Sequence, residues 1–360
     1  MSAALRSEFP VFERVSYLNA GSVGPTPRAA ADAAIDELRI QAEGTRAGIA
    51  EFEHQGQLAA DMRRRAAGLL GCDVNEVALT CATTDGVNAV IGGLELGPGD
   101  EVLTSDEEHP GLLAPLGAAR ERRGISVRVV PFNEIAGEAE ASTRLIACSH
   151  VSWHTGRVAD TEGLAAAGAP VLLDGAQGLG AVAVDVRSLR CEYYAASGQK
   201  WLCGPTGSGY LYVRSDRIED LSPIAPGYQS LTDPGRALEL ELKDGAARFD
   251  AGFPTSHHAA WALAAMDVLA SAGMEHVLAR GPELAARLAE ELADRGMTVA
   301  PRGPSTLVSW QASDPEAEAK RLAGEGFVLR HLPGTPYIRA SVGAWSSEEE
   351  LDRLVATSAS

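Results

Sequence analysis

Lysine is scarce in this 360-residue sequence, which contains only Lys200, Lys243 and Lys320 among 31 basic residues. Acidic residues outnumber basic ones by 49 to 31, so the formal net charge is −18. A chain this acidic lacks the basic footprint of nucleic-acid-binding proteins and disfavours anionic membrane surfaces. We therefore expect neither nucleic acid nor a membrane as partner, although a pocket with local arginines can still bind a small anionic substrate.

Cysteine pairs and long apolar runs are also missing. The five cysteines contain no C-x-x-C spacing, so we expect neither a disulfide framework nor a zinc site, and no other metal site is predicted. No apolar run reaches transmembrane length, and Met1 to Arg6 lack the apolar stretch of a secretory signal. These features predict a cytoplasmic protein whose thiols stay reduced.

The sequence does contain short apolar runs that alternate with longer Ala- and Leu-rich stretches. Seven runs are predicted to be strands: 76–80, 101–104, 126–130, 144–147, 170–173, 193–196 and 209–213. They are apolar with little alternation, which is typical of strands buried on both faces of a sheet. With helices between them, they predict an α/β fold built on a large, mostly parallel, seven-stranded sheet.

The alternation of predicted strands and helices becomes irregular over 215–250, and a different order of elements follows. Two helices and two strands are predicted there, at 259–269, 281–295, 306–310 and 337–341, and a last helix begins after a Ser346-Ser347 cap. We expect an N-terminal segment that packs on a small domain, a large domain, and a small α+β C-terminal domain, over residues 1–15, 16–245 and 246–360.

Lys200 lies in a glycine-rich turn after one predicted strand, and Asp174 follows another. An amine, unlike a guanidinium, can lose its proton and form a Schiff base with an aldehyde. A buried carboxylate is costly unless it is paired, and a protonated pyridinium nitrogen is a suitable partner for Asp174. The pair predicts a pyridoxal 5′-phosphate (PLP) site. Taken singly, Lys200 also fits a surface turn and Asp174 a turn cap.

Other polar residues follow predicted strands, where ligands gather in open α/β sheets. Thr83 and Thr84 precede a predicted helix whose N-terminus suits a phosphate dianion, although a simple threonine cap is the alternative. Ser197 and Gln199, beside the lysine, are further candidates for phosphate contacts. Gln177 is a candidate for contact with the phenolic oxygen of the cofactor ring.

His109 and Arg339 complete the set of candidate site residues. The imidazole of His109 can stack on an aromatic cofactor or move a proton. The guanidinium of Arg339 can anchor a substrate carboxylate through two hydrogen bonds. A loop histidine and a solvated or ion-paired arginine are the alternatives.

As a set, these residues resemble the class V aminotransferase family of fold-type I PLP-dependent enzymes over most of the chain. The motifs that carry the resemblance are Tyr17-Leu18-Asn19-Ala20-Gly21, Ala82-Thr83-Thr84-Asp85-Gly86-Val87-Asn88, Glu108-His109-Pro110, Ser149-His150-Val151-Ser152-Trp153, Asp174-Gly175-Ala176-Gln177, Ser197-Gly198-Gln199-Lys200 and Arg339-Ala340-Ser341. The resemblance implies the fold-type I architecture, PLP as cofactor, an amino-acid substrate, and a homodimer in which the partner subunit completes the site.

The resemblance also implies roles for individual residues. Lys200 would form the Schiff base and then act as general base at the substrate Cα, Asp174 would bind the pyridinium nitrogen, and His109 would stack on the ring. The other implied contacts are Gln177 to the ring oxygen, Thr83, Thr84, Ser197 and Gln199 to the phosphate, Arg339 to the substrate carboxylate, and Asn19, Ala20, Gly21 and Trp153 to the rest of the substrate.

Departures from the family pattern narrow the expected reaction. Cysteine desulfurases carry a nucleophilic cysteine on a loop shortly before the carboxylate-binding arginine, and residues 330–339 contain none. Gln199 replaces the histidine that usually precedes the lysine, so one phosphate contact is altered. Phe253 replaces a threonine that often binds phosphate from the partner subunit, a contact for which Thr255 is the candidate substitute. The greatest similarity is to cyst(e)ine C–S lyases, supported by residues 106–111, 153–156 and 200–201.

The sequence therefore predicts a C–S lyase that cleaves a cysteine-derived amino acid, or its S-conjugate or sulfoxide, by α,β-elimination. The alternatives within PLP chemistry are a class V aminotransferase, an epimerase and a cysteine desulfurase. An alternative from another class is a cofactor-free scaffold that keeps the fold.

Overall fold

The computed structural model describes residues 2–44 and 46–358. Its strands in chain order are β1 (Ser16–Tyr17), β2 (Val77–Thr80), β3 (Glu101–Ser105), β4 (Ser126–Val130), β5 (Thr143–Ser149), β6 (Val171–Asp174), β7 (Tyr193–Ser197), β8 (Gly209–Val213), β9 (Leu307–Gln311), β10 (Phe327–Val328), β11 (Arg330–His331) and β12 (Tyr337–Ser341). Seven of them, β2 to β8, form one sheet.

The helices connect and cover the strands. In chain order they are α1 (Ser2–Ser7), α2 (Arg28–Glu43), α3 (Ile49–Leu70), α4 (Thr83–Gly93), α5 (Pro110–Arg123), α6 (Thr161–Ala166), α7 (Val186–Leu189), α8 (Ser256–Ser271), α9 (Met274–Asp294), α10 (Pro315–Gly324) and α11 (Glu348–Ser358). In the described part of the chain, no single helix is long and apolar enough to cross a membrane. Only the pair α8 and α9, bent by 80°, meets that length and composition together.

The large sheet has the order β2-β8-β7-β6-β5-β3-β4. Its pairs are parallel except those of β8, which runs against both of its neighbours. Successive residues of a strand enter opposite cores: Leu172 packs in one cluster, and Val171 and Leu173 in the other. Burial on both faces explains the continuous apolar runs. The prediction of a mostly parallel seven-stranded sheet is confirmed.

The strand directions bring the candidate residues together. Because β8 is antiparallel to both β2 and β7, strand β2 points the same way as the parallel strands. The carboxyl ends of β2, β3, β6 and β7 therefore lie at one edge of the sheet. Thr83, His109, Asp174 and Lys200 follow or end those strands. The topology thus places residues up to 117 positions apart at one edge.

Helix α4 begins earlier than the sequence predicts. Thr83 and Thr84, which were predicted to precede the helix, form its first turn after the N-cap Ala82. Gly86 lies inside that turn because its missing side chain lets the helix approach β7: a Cβ there would lie 2.9 Å from the Cβ of Ala195. A glycine selected for close packing reads as a loop signal in the sequence.

The C-terminal part is built on the antiparallel sheet β11-β12-β9, which α9 and α10 contact, and α11 packs against α9. The apolar residues of α9 and α11 form a core with this sheet, centred on Leu288, Trp310 and Leu354. Helix α8 instead buries Ala259 and Ala262 in the core of the large sheet. The predicted boundary at 245 stays a prediction, and we propose that the small domain begins after Ser271.

Candidate functional site

A cavity of about 230 Å³ opens at the carboxyl edge of the large sheet, between this sheet and the small one. Its lining residues are Gly21, Ser22, Ala82, Thr83, Thr84, His109, Trp153, Asp174, Ala176, Gln177, Ser197, Gln199, Lys200, Arg330 and Arg339. Eleven of these were predicted as site residues. They come from seven separate segments of the chain, so only tertiary structure brings them together.

Lys200 and Asp174 carry opposite charges in the buried part of this cavity. Asp174 is the last residue of β6, and its Oδ1 accepts a 2.9 Å hydrogen bond from the Ala176 N–H. Burial raises the pKa of this carboxyl, while nearby Lys200 opposes that rise. Burial also lowers the pKa of Lys200 to about 8, against the opposing attraction of Asp174. A sizeable fraction of the amine is therefore neutral near physiological pH.

One end of the cavity presents hydroxyl groups and a helix N-terminus. Helix α4 starts at Thr83, and its N-cap Ala82 has no side chain that can satisfy the free N–H groups of the first turn. Among the described residues, the hydroxyls of Thr83 and Ser197 and the Oε1 of Gln199 are buried without a hydrogen-bond partner. Buried polar groups normally have partners, so this end fits a phosphate group.

His109 caps helix α5 and faces the cavity. Its Nδ1 accepts a 2.9 Å hydrogen bond from the Gly111 N–H, so the ring proton of the neutral imidazole resides on Nε2. Burial, followed by the nearby cations Lys200, Arg330 and Arg339, lowers the pKa of His109 to about 4. The ring is therefore neutral at pH 7, which suits stacking on an aromatic cofactor. Trp153 meets it edge to face, with ring centroids 4.9 Å apart.

Gln177 is held on two sides. Its Oε1 accepts a 2.9 Å hydrogen bond from the indole N–H of Trp201, and its Nε2 donates a 2.7 Å bond to the Gly21 carbonyl. The second N–H of the amide remains for the cavity. Gly21 has to be glycine here, because a Cβ would lie 2.7 Å from the Ser341 hydroxyl and 3.0 Å from Gln177 Oε1.

Arg339 lies in β12 and is buried at the cavity wall, with 1% of its surface exposed. Its Nη1 donates a 2.8 Å hydrogen bond to the Trp153 carbonyl, whereas Nε and Nη2 find no acceptor among the described residues. Burial and the neighbouring Arg330 lower its pKa to about 9, so the guanidinium stays charged at pH 7. A bound carboxylate would supply both the missing acceptors and the missing charge.

Three predicted residues lie outside the cavity lining. Ala20 is fully buried in the core. The Asn19 side chain accepts a hydrogen bond from Ser22, and its backbone pairs with Ser341. Thr255 is the N-cap of α8, next to a separate cavity that Pro254 and His258 line. Their contact with substrate or phosphate stays a prediction, and Thr255 within one chain does not reach this site.

The sequence reasoning missed Arg330, Ser22 and Trp201. Arg330 is the direct cross-strand partner of Arg339 in the antiparallel pair β11–β12, and its Nη1 donates a 3.0 Å hydrogen bond to the Ser22 hydroxyl. The signal was present as two arginines nine residues apart on either side of a Pro-Gly turn. For Trp201 the available signal was its position directly after the lysine.

Comparisons with known proteins find similarity along most of the chain. The family model described as "Aminotransferase class-V" matches residues 16–354. A probable cysteine desulfurase of Methanothermobacter thermautotrophicus is 30% identical over 69% of this chain and 65% of its own length, so the match spans slightly less than two thirds of that relative. A cysteine desulfurase of Salmonella agona is 27% identical over 98% of this chain and 96% of the relative.

Solved structures extend the likeness to the whole fold. A Lys-to-Ala mutant of C-DES, described with glycine covalently linked to its PLP cofactor, is 29% identical over 98% of each chain with a TM-score of 0.93. The complex of the cystine C–S lyase C-DES with its reaction product cysteine persulfide is 28% identical over 98% of this chain and 99% of that one, with a TM-score of 0.90. The predicted fold-type I architecture is confirmed.

Proposed function

This chain belongs to the class V aminotransferase family, and we propose that within it the protein is a carbon–sulfur lyase that cleaves a cysteine-derived amino acid by α,β-elimination. The predictions of the family and of a PLP-dependent enzyme are confirmed by the family match and by PLP in the neighbouring structure. The buried unpartnered hydroxyls of Thr83 and Ser197 fit the phosphate of that cofactor.

The proposal rests on the chemistry of the cavity wall that contains Arg330 and Arg339. Where a desulfurase needs a thiol, strands β11 and β12 form a short hairpin over Leu332–Pro336 with Gly334 at φ 76°. All five cysteines are free, and among the described residues none lines the cavity. A sulfur atom released from the substrate therefore has no protein thiol to accept it, which favours its departure as a leaving group.

The proposed roles follow the geometry of the chain. When bound, PLP supplies the electron sink for breaking bonds at the substrate Cα. Asp174 would hold the pyridinium proton, and Arg339 would orient the α-carboxylate. Lys200, whose pKa is lowered to about 8 so that part of the amine is neutral near pH 7, would remove the Cα proton. The Cβ–S bond then breaks, with the electron pair leaving on sulfur, and addition of water gives pyruvate and ammonia besides the sulfur product.

The paired arginines support a narrower substrate class. Like charges directly opposite on antiparallel strands are destabilising, yet Arg330 and Arg339 occupy such a pair beside one cavity. A substrate with two carboxylates would offset both charges, and the disulfide of two cysteines has that chemistry. We therefore place cystine-type substrates ahead of monocarboxylate S-conjugates and sulfoxides.

Pyruvate and sulfur-product release from a panel of cysteine, cystine, S-conjugates and cysteine sulfoxides tests the proposal. We expect stoichiometric pyruvate, highest with cystine, and none from Lys200→Ala. Cys81→Ser removes the exposed thiol that follows β2 and should keep activity within about twofold, the range of an ordinary surface substitution. Keto-acid exchange without pyruvate would indicate an aminotransferase. A product with altered configuration at Cα would indicate an epimerase. Sulfur transfer that is lost in a cysteine variant would indicate a desulfurase.

We also propose a homodimer, on the basis of an apolar surface. Ile49, Phe52, Tyr228, Leu238 and Leu240 are all exposed. Phe52 contacts Tyr228 and Phe253 edge to face, with ring centroids 5.8 Å and 5.0 Å away. Contiguous exposed apolar surface is typical of an interface, and a second copy there could bring its Thr255 toward the phosphate end.

The five free thiols support a reducing compartment, so a cytoplasmic location stays part of the proposal.

A further inference from the structure

We infer that Trp201 is a positioning residue for the cofactor: its indole N–H holds the Gln177 side chain so that an amide N–H, and not the carbonyl oxygen, faces the phenolic oxygen of the PLP ring. The inference rests on the proposed contact between Gln177 and that oxygen. It concerns a residue that does not line the cavity and acts only through the amide it contacts.

The direction of the amide follows from donor and acceptor chemistry. An indole N–H is only a donor, so the atom of Gln177 that lies 2.9 Å from it must be the oxygen. The Gly21 carbonyl is only an acceptor, so the atom 2.7 Å from it must be the nitrogen. If the amide were flipped, its nitrogen would face the Trp201 N–H and its oxygen would face the Gly21 carbonyl. Both contacts are buried, where such a mismatch is costly.

Trp201 itself is held rigidly, with 1% of its surface exposed. Its ring stacks on Trp345 with 6.4 Å between centroids and 28° between planes. Trp345 in turn packs against Phe9, 5.2 Å away, and its carbonyl accepts a 3.0 Å hydrogen bond from Arg6. The N-terminal segment and the residues before α11 thus support the indole at its ring face, while its N–H reaches Gln177.

Gly180 provides the room that this arrangement needs. Its φ is +82°, a conformation that favours glycine. A Cβ at Gly180 would also lie 3.1 Å from the Trp201 carbonyl carbon and 3.2 Å from its Cβ. The loop that carries Gln177 therefore reaches the indole through a backbone approach that only glycine allows.

The test is the pH titration of the visible absorbance of the bound cofactor. A donated N–H stabilises the ionised ring oxygen, so losing it raises the pH midpoint of that absorbance. In Trp201→Phe we expect an upward shift of about one pH unit, the size of one lost hydrogen bond to a charged group. Trp310→Phe is the matched control, because the Trp310 indole N–H is buried without a partner among the described residues, in the core of the small sheet.

One further variant keeps the inference testable if Trp201→Phe loses its fold, and a double variant checks that Trp201 acts through Gln177. Gln177→Glu leaves an acceptor for Trp201 and removes the facing N–H, so it should shift the midpoint upward as well. In a Gln177→Leu background, Trp201→Phe should add no further shift. An unchanged midpoint in folded Trp201→Phe or in Gln177→Glu overturns the inference, as does an additional shift in the double variant. A wild-type protein with no visible cofactor band would instead refute the proposed function itself.

Discussion

Arg330 and Arg339 lie directly opposite each other on the antiparallel strands β11 and β12, and both side chains line the same cavity. Two guanidiniums in this position repel one another, and Arg330 contributes to the lowered pKa of Arg339. Two nitrogens of the buried Arg339, Nε and Nη2, also lack acceptors among the described residues. Bound carboxylates would therefore neutralise the positive charge of this pair. That is the basis of the preference for a dicarboxylate substrate.

Replacing Arg330 should separate substrates by their charge. In Arg330→Ala, kcat/KM for cystine should fall at least about 30-fold, because truncating one member of a buried charge pair costs about 2–5 kcal/mol. The value for S-methylcysteine, which has one carboxylate, should change no more than about threefold, as for a distant substitution. Steady-state kinetics of both substrates measure this. Arg295→Ala, at the end of α9, is the control, and equal losses for both substrates would contradict the prediction.

Capture of PLP by the apoprotein should depend on pH through Lys200. Only the neutral amine attacks the aldehyde, and the pKa of Lys200 is lowered to about 8. The capture rate should therefore level off above pH 8 and fall about tenfold per pH unit below it, whereas an unperturbed lysine would still be gaining rate above pH 10. Stopped-flow absorbance measures the rate. Lys243→Ala should behave as wild type, and Lys200→Arg should show no capture.

His150 should make the fold sensitive to acid. Burial lowers the pKa of His150 to about 4, and its Nδ1 lies 3.0 Å from the Tyr194 hydroxyl. The unfolded state, with a pKa near 6.5, binds this proton first, so the contribution is complete above pH 6.5 and is lost as the pH falls toward 4. Between pH 7.5 and 5 the wild type should lose about 2 kcal/mol of unfolding free energy relative to His150→Gln.

Urea unfolding of both proteins at the two pH values measures this difference. The comparison with His150→Gln is needed because other buried groups oppose the trend. Burial raises the pKa of Glu108 to about 7, which stabilises the fold as the pH falls below 7. A constant difference between the two proteins from pH 7.5 to 5 would contradict the assignment to His150.

Gly21→Ala should damage the site without unfolding the protein. The added Cβ would lie 2.7 Å from the Ser341 hydroxyl and 3.0 Å from Arg339 Nη2, so the carboxylate anchor must shift. We expect kcat/KM to fall about 100-fold, the cost of a displacement near 1 Å in a catalytic site. Gly68→Ala is the matched control, because a Cβ there has no heavy atom within 4 Å. Near-normal kinetics in Gly21→Ala would argue against this cavity as the substrate site.

Phe52→Glu should dissociate the proposed homodimer. Phe52 is 47% exposed in the apolar surface described above, and a buried unpaired carboxylate at an interface is strongly destabilising. Sedimentation velocity should show a dimer for the wild type and a monomer for the variant. Val129→Glu, on the edge strand β4 and 56% exposed, should remain dimeric. A monomeric wild type would refute the dimer.

The strands of the large sheet were predictable because each is buried on both faces, which leaves an uninterrupted apolar run in the sequence. Asp174 and Lys200 were predictable as cavity residues because each follows an apolar run at a strand end, where ligands gather in open α/β sheets. The start of α4 was wrong because Gly86 serves close packing against Ala195 rather than a turn. Arg330 and Trp201 were missed because their roles depend on partners, Arg339 and Gln177, that adjoin them only after folding.

By itself, the sequence determined the sheet, the family, the cofactor chemistry and the absence of a cysteine before Arg339. All of these follow from residue type and local order along the chain. Only the tertiary structure decided that two arginines face each other across a hairpin, that His109 is a neutral cap, and that an indole orients Gln177. Those features depend on burial and on distances between segments, which set charge, tautomer and hydrogen-bond direction.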